Sequence, residues 1–533
     1  MNLDAPHATA TLTRRRVLQA SLLPSFGLLP AFAAQKANVF SELNKSRTTV
    51  TQPSNTSELA FLSATSQAQL IREKSISSEE LVTLYLDRID QVNPCLNAVV
   101  ALADNAVEQA RNADALLAEG KDVGSEGKFG PLHGVPMTIK DCFDTAGVVS
   151  TWGTMGRRGF VPDQDATVVA RLKAAGAILI GKTNTPEFTL SFETHNKIHG
   201  FTNNPHDLAR SPGGSSGGAA AAIAAGLTSF DIGTDYGGSI RVPAHCCGTV
   251  GIKPTSGSVA RTGLCLPPGM LTDSLSHAGP LARYVEDLRL ILPIIWGPDA
   301  VDTRIADVPF PDPSAVNVGD LSVAVMFDNG IASPSDDTLA MLERVMKLMA
   351  EAGISVRQDR LDGVEETTRV GGGFWAVGAH ASVKQLLTRA GTKTEEYANN
   401  WFKTMDGAIS DNISAEALND QLTRFESYRS RMQKHMSQYD VLISPVNANP
   451  AQLHPQPGEP PFPTADASYT EAFDLTGWPS GVVRGGTSTE GLPIGVQVTA
   501  NPWREDVVLA VMAYLERSIE PFMPPALRGF MSS

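Results

Sequence analysis

A chain of 533 residues, 42% of them hydrophobic, carries enough apolar side chain for a large core, and its length alone allows two or three domains. A formal charge of −14 argues against nucleic acid as a partner, because phosphate backbones are held by clustered cations. Past the N-terminal segment no run has the length and apolarity of a transmembrane helix, so no stable membrane insertion is expected.

The N-terminus reads as an address. Thr13-Arg14-Arg15-Arg16-Val17-Leu18-Gln19 resembles the bacterial twin-arginine export signal. The apolar stretch that follows, Val17 to Phe32, is broken by Pro24, Gly27 and Pro30 and is too short to span a bilayer well. Ala31-Phe32-Ala33 then offers a small-x-small cleavage site. Residues 1–34 are therefore expected to be a signal peptide, with the mature protein periplasmic or secreted, and residues 35–56 a polar linker. Cysteine usage agrees with export of an already folded protein. The number is odd (Cys95, Cys142, Cys246, Cys247, Cys265) and no disulfide-framework spacing is visible. Neither Cys nor His shows metal-ligand spacing, so no metal and no cofactor are expected.

From residue 57 the pattern is helical. Ser77 followed by Glu80 gives a capping pattern, and Leu81, Leu84, Tyr85, Ile89 and Val92 recur at helical spacing. Pro94 is expected to end this helix. Residues 97–100 then read as an extended segment, and 101–118 as a second helix. Residues 131–144 read as a buried strand and loop, and they carry Lys140. Burial favours the neutral amine, which can accept a proton. Asp141 would oppose that if its carboxylate turned toward the amine. Residues 168–182 read as a helix and then a short strand, and 183–188 and 202–205 as turns built by Asn and Pro.

Next come two glycine-rich turns, each carrying serine. The first is Gly213-Gly214-Ser215-Ser216-Gly217-Gly218, followed by an alanine run read as a helix. A strand, residues 231–234, then enters the second turn, Asp235-Tyr236-Gly237-Gly238-Ser239-Ile240-Arg241. Such turns let other groups approach the backbone closely, and a helix beginning near Ser239 would aim its positive end at them.

This stretch resembles the signature region of the amidase signature family of serine hydrolases: a GGSSGG turn, a helix, then G-[ST]-D-x-G-G-S-[IL]-R-x-P-A. Ser215 and Ser239 stand 24 residues apart, as the family's two catalytic serines do. The upstream family lysine matches Lys140 in Gly134-Val135-Pro136-Met137-Thr138-Ile139-Lys140-Asp141. The resemblance implies a nucleophile at Ser239, a neutral base at Lys140, and Ser215 between them as proton shuttle after a cis peptide. It implies an oxyanion hole from the backbone amides of Tyr236, Gly237, Gly238 and Ser239, with Ser216, Asp235 and Arg241 in support. Trp152 stands where many members have a smaller residue and is a candidate wall of the acyl pocket.

The resemblance implies one α/β domain over residues 57–525, with a mixed central β-sheet covered by helices on both faces. It thins over about 300–440, a stretch with the character of a pocket wall or lid that includes Phe374-Trp375 and Trp401-Phe402. It returns at Tyr439 to Pro445, Phe473-Asp474-Leu475-Thr476-Gly477 and Gly491 to Val498, read as strands and their turns. The expected activity is hydrolysis of a small-molecule carboxylic amide (neutral aryl, alkyl or peptide-type) through an acyl-enzyme. Two alternatives share the scaffold: an ammonia-releasing amidotransferase subunit, which the export signal argues against, and a non-catalytic binding protein, which an intact Lys140, Ser215 and Ser239 argue against.

Overall fold

Short apolar runs alternating with helical stretches assemble into an eleven-stranded sheet. The computed structural model describes residues 56–119, 129–269, 273–397, 414–456 and 465–526. The expected signal segment, almost all of the expected linker, and Trp401-Phe402 lie outside these.

Thirteen strands are found among the described residues: β1 (Val99–Leu102), β2 (Pro136–Lys140), β3 (Ile178–Thr183), β4 (His195–Asn196), β5 (Gly200–Phe201), β6 (Phe230–Asp235), β7 (Val250–Lys253), β8 (His277–Ala282), β9 (Ser322–Val325), β10 (Ser355–Gln358), β11 (Val441–Pro445), β12 (Ser480–Thr487) and β13 (Pro493–Ala500). β4 and β5 form a separate hairpin, and the rest run in the order β1-β3-β2-β6-β8-β7-β12-β13-β11-β9-β10. β2 is parallel to both β3 and β6, whereas β8 is antiparallel to both β6 and β7, so the sheet is mixed, as expected. Every residue of β2, β3 and β6 is buried, which is why these strands read as apolar runs rather than as an alternation.

The N-terminal helix, Ser78–Leu96, opens with the reciprocal Ser77–Glu80 capping box. It does not stop at Pro94. The proline deprives only the carbonyl of Asp90 of its donor, and Asp90 is exposed, so the helix runs on to Leu96 and closes on Asn97 at φ 52°. The helix expected over 101–118 starts only at Ala106, because Val99–Leu102 pairs antiparallel with β3 as an edge strand. A second correction concerns Phe473 to Gly477. This run is the end of a helix, Ser468–Thr476, with Gly477 at φ 74° as its cap. Five residues with apolar side chains only at Phe473 and Leu475 fit either period, and packing decides here: Phe473 stacks on Trp478 while Asp474 faces Arg241. Phe374-Trp375 belongs to a long helix, Thr367–Ala390.

Candidate active site

The parallel pair β2 and β6, in register at Thr138 with Asp231, brings two distant segments to one end of the sheet. β2 ends in Lys140, and β6 runs out through Thr234 and Asp235 into the second glycine turn. The first glycine turn ends where the helix Gly217–Ala224 begins. Open α/β sheets bind ligands at the carboxyl ends of such strands.

Lys140 is fully buried, and three hydroxyl oxygens surround its Nζ: Ser215 Oγ at 2.7 Å, Ser216 Oγ at 2.9 Å and Thr234 Oγ1 at 2.7 Å. Burial pulls its pKa from 10.5 down to about 8, against the opposing pull of Cys142, Cys265, Asp235 and Asp231. Asp141 does not oppose the neutral form. Its carboxylate turns away to the amide and hydroxyl of Thr151 and lies 3.8 Å from the Nζ of Lys182. The buried carboxyls that do pull on the amine are Asp235 and Asp231. Asp231 takes hydrogen bonds from Thr138 Oγ1 at 2.6 Å and Thr183 Oγ1 at 3.0 Å, and burial lifts its pKa to about 7.

The two serine turns are joined through their backbones. The Ser216 amide donates to the Ser239 carbonyl at 3.1 Å, and the Gly214–Ser215 peptide is cis, as the resemblance implies. Ser216 fits only because residue 233 is glycine: a Cβ there would stand 2.7 Å from Ser216 Oγ. Ser239 keeps 5% of its surface exposed, while Lys140 and Ser215 are at 0%.

Asp235 and Arg241 brace the second turn, as expected, and they also correct two readings. The Asp235 carboxylate accepts from the amides of Gly238 at 2.7 Å, Ile240 at 3.0 Å and Arg241 at 3.3 Å. The amides at the start of the helix Arg241–Cys247 are thus engaged internally rather than aimed at the site, and the Gly238 amide is turned away from an oxyanion. Among the described residues nothing accepts from the amides of Gly237 or Ser239, which remain available as donors. Burial alone would raise the Asp235 carboxyl, but the adjacent Arg241 guanidinium overrides it and holds the pKa well below the usual carboxylate range. Arg241 also reaches Asp474 Oδ2 at 2.5 Å, Gln497 Oε1 at 2.8 Å and the Thr470 carbonyl at 2.9 Å. Burial and the nearby Asp235 push the Asp474 carboxyl far up.

Trp152 is buried at φ 53°, with its indole N–H on Asp144 Oδ1 at 3.1 Å and the Arg157 guanidinium 3.5 Å from its ring centroid. Those contacts fix it on Arg157 and Asp144. Sequence reading missed Thr234, Asp231 and Asp474 as site residues. The signal for Thr234 was present, since it fills the [ST] position of the motif. Among the described residues no group of three or more His, Cys, Asp or Glu could hold a metal ion, and no helix is long and apolar enough to cross a membrane.

The model of the Amidase family matches residues 80–509. Fatty-acid amide hydrolase 2-A of Danio rerio is 32% identical over 96% of this chain and 97% of its own length. A glutamyl-tRNA(Gln) amidotransferase subunit of Bdellovibrio bacteriovorus is 34% identical over 86% of this chain and 97% of its own. The solved structure of 6-aminohexanoate cyclic dimer hydrolase complexed with substrate superposes with a TM-score of 0.78 at 28% identity, covering 88% of this chain and 99% of that one.

Proposed function

The chain belongs to the amidase family and is an amide-hydrolysing enzyme, and we propose that it works through an acyl-enzyme on Ser239, with Ser215 as proton shuttle and Lys140 as base. The observation that carries this reading is the fully buried Lys140 amine with Ser215 Oγ at 2.7 Å. An ammonium in that position cannot accept a proton, so the neutral fraction created by burial is the working form.

Ser239 Oγ attacks the carbonyl carbon of the amide while its proton passes to Ser215 Oγ and the Ser215 proton to Lys140 Nζ. The oxyanion that forms is met by the amides of Gly237 and Ser239, with Tyr236 as a further donor in the same turn. Each such donor is typically worth about 10²–10³ in rate. The lysine proton then returns through Ser215 to the departing nitrogen, the C–N bond breaks, and the amine leaves. Water attacks the ester, gives its proton to the same relay, and frees Ser239. Ser216, Asp235 and Arg241 hold the turns in place, and no cofactor or metal enters any step.

The substrate is a small neutral amide, mainly apolar. Support comes from relatives named for a fatty-acid amide and for 6-aminohexanoate cyclic dimer, and from Tyr236 in the second turn. The enzyme works outside the cytoplasm, on the strength of Arg14 and Arg15 and the apolar stretch behind them. A fluorophosphonate probe should label Ser239 in the purified protein, and a panel of anilides and alkyl amides should release amine. Failure of both would refute the reading. The likeness to an amidotransferase component favours a second reading, ammonia release from glutamine. Efficient glutaminase activity with inert anilides would decide for it.

A further inference from the structure

The hydrogen-bond count around Lys140 leaves one hydroxyl without an assigned task. A protonated amine donates three hydrogen bonds, but a neutral one donates two and accepts one. Three hydroxyls face Nζ, so in the neutral state two must accept from it and one must donate to it. Only if Ser215 is the donor does the lone pair point along the relay. That outcome requires Ser216 and Thr234 to send their own protons elsewhere.

Both have somewhere to send them. Ser216 Oγ stands 3.3 Å from the Thr234 carbonyl. Thr234 Oγ1 stands 3.9 Å from Cys142 Sγ, within reach of a sulfur acceptor. Cys142 is held in turn. Phe143 pairs antiparallel with Leu264, and the Cys265 amide donates to the Cys142 carbonyl at 2.9 Å. The Cys142 sulfur keeps lone pairs with which it can accept from Thr234.

We propose that Thr234, backed by Cys142, is a positioning residue for the base: by accepting from Lys140 it fixes the amine so that its single lone pair points at Ser215. The proposal rests on the reading of Lys140 as the base. Without Thr234 the neutral amine can donate to Ser215 and Ser216 and leave its lone pair pointing away from the relay. The protonated amine loses a charge-assisted acceptor, which costs it more than the neutral form loses. The titratable groups facing the amine are Cys142 beyond the end of its own strand, Cys265 across from that, and Asp231 and Asp235 on β6. Thr234→Val keeps all four groups but takes a hydrogen-bond partner from Cys142, so the limb is also compared in a Cys142→Ala background, where a moved limb reports the hydroxyl lost from Lys140.

The test is kcat/KM for an anilide across pH in the wild type, Thr234→Val, Thr234→Ser and Lys140→Ala, with thermal unfolding to verify folding. Thr234→Val should lower the plateau by about tenfold, the scale of one lost hydrogen bond, with KM little changed. Its acid limb should move to lower pH. Thr234→Ser should restore both plateau and limb. A Thr234→Val enzyme with plateau and limb unchanged would overturn the proposal. So would equal losses in the valine and serine variants with the limb in place, which would mark a packing role. If Lys140→Ala keeps wild-type activity, the base assignment itself falls and takes this proposal with it. Loss in Lys140→Ala beside an unaltered Thr234→Val overturns the positioning role alone.

Discussion

Replacing Lys140 with Met should remove a pH dependence of stability whose size can be calculated. Burial brings the amine from 10.5 in the free chain to about 8 in the fold. At about 1.36 kcal/mol per unit, the full lever is about 3 kcal/mol. Below the folded value both states hold the proton, and the cost of burying the cation is fully present. Between the two values the unfolded chain binds a proton that the folded chain does not, so stability rises with pH. Lys140→Met has no such group, although it leaves three hydroxyls short of a partner, an offset that does not titrate. The stability of wild type minus Lys140→Met should therefore be flat up to about pH 7 and climb by about 2–3 kcal/mol by pH 10. Urea unfolding of both proteins at each pH unit from about 6 to about 10 measures it, a range that brackets the folded value. The same pair in a Cys142→Ala background removes the neighbouring thiol from the comparison. Parallel curves for the two proteins across that range would refute a depressed, buried Lys140.

Three further outcomes are expected. Arg241→Met leaves the ionised Asp235 buried without its bonded guanidinium and Asp474 short of a donor, so it should destabilise by about 3–5 kcal/mol and be read as a drop in the urea midpoint. Lys140→Ala should lose amide hydrolysis more steeply than hydrolysis of a matched phenyl ester, because only the amide nitrogen must be protonated to leave. General acid help of about 10²–10⁴ is at stake, and equal losses would remove the leaving-group role. Arg14→Lys with Arg15→Lys should keep the enzyme in the cytoplasm, still active, and unchanged periplasmic activity in fractionated cells would contradict the export reading.

Much of the site was legible because its chemistry is local in sequence. The two serine turns and the lysine strand each announce themselves within a few residues, and glycine is needed where Ser216 must pack against residue 233. What escaped depends on contacts between distant segments. The direction of Asp141 is set by Thr151 and Lys182, which no local pattern around Lys140 reveals. Thr234 becomes a partner of Lys140 only through the β2–β6 register, 94 residues apart in sequence. The Gly238 amide was misassigned because a turn that looks open is closed by the carboxylate of Asp235 three residues before it. Helix and strand were confused only in short runs, at Ala101-Leu102 and Phe473 to Gly477, where periodicity has too few residues to speak.

The amide of Ser216 on the carbonyl of Ser239 makes the nucleophile's turn and the shuttle's turn a single mechanical part. An electrophile that reaches Ser239 by pushing its peptide outward gives up this hydrogen bond and, through Ser216 Oγ, also pulls on a contact of Lys140. Bulk placed near the Ser239 backbone therefore slows the very proton relay that the inhibitor needs to become attached. Bulk carried away from it, toward solvent, leaves the relay intact, and a reactive group of modest size can be captured by an enzyme that is still fully competent.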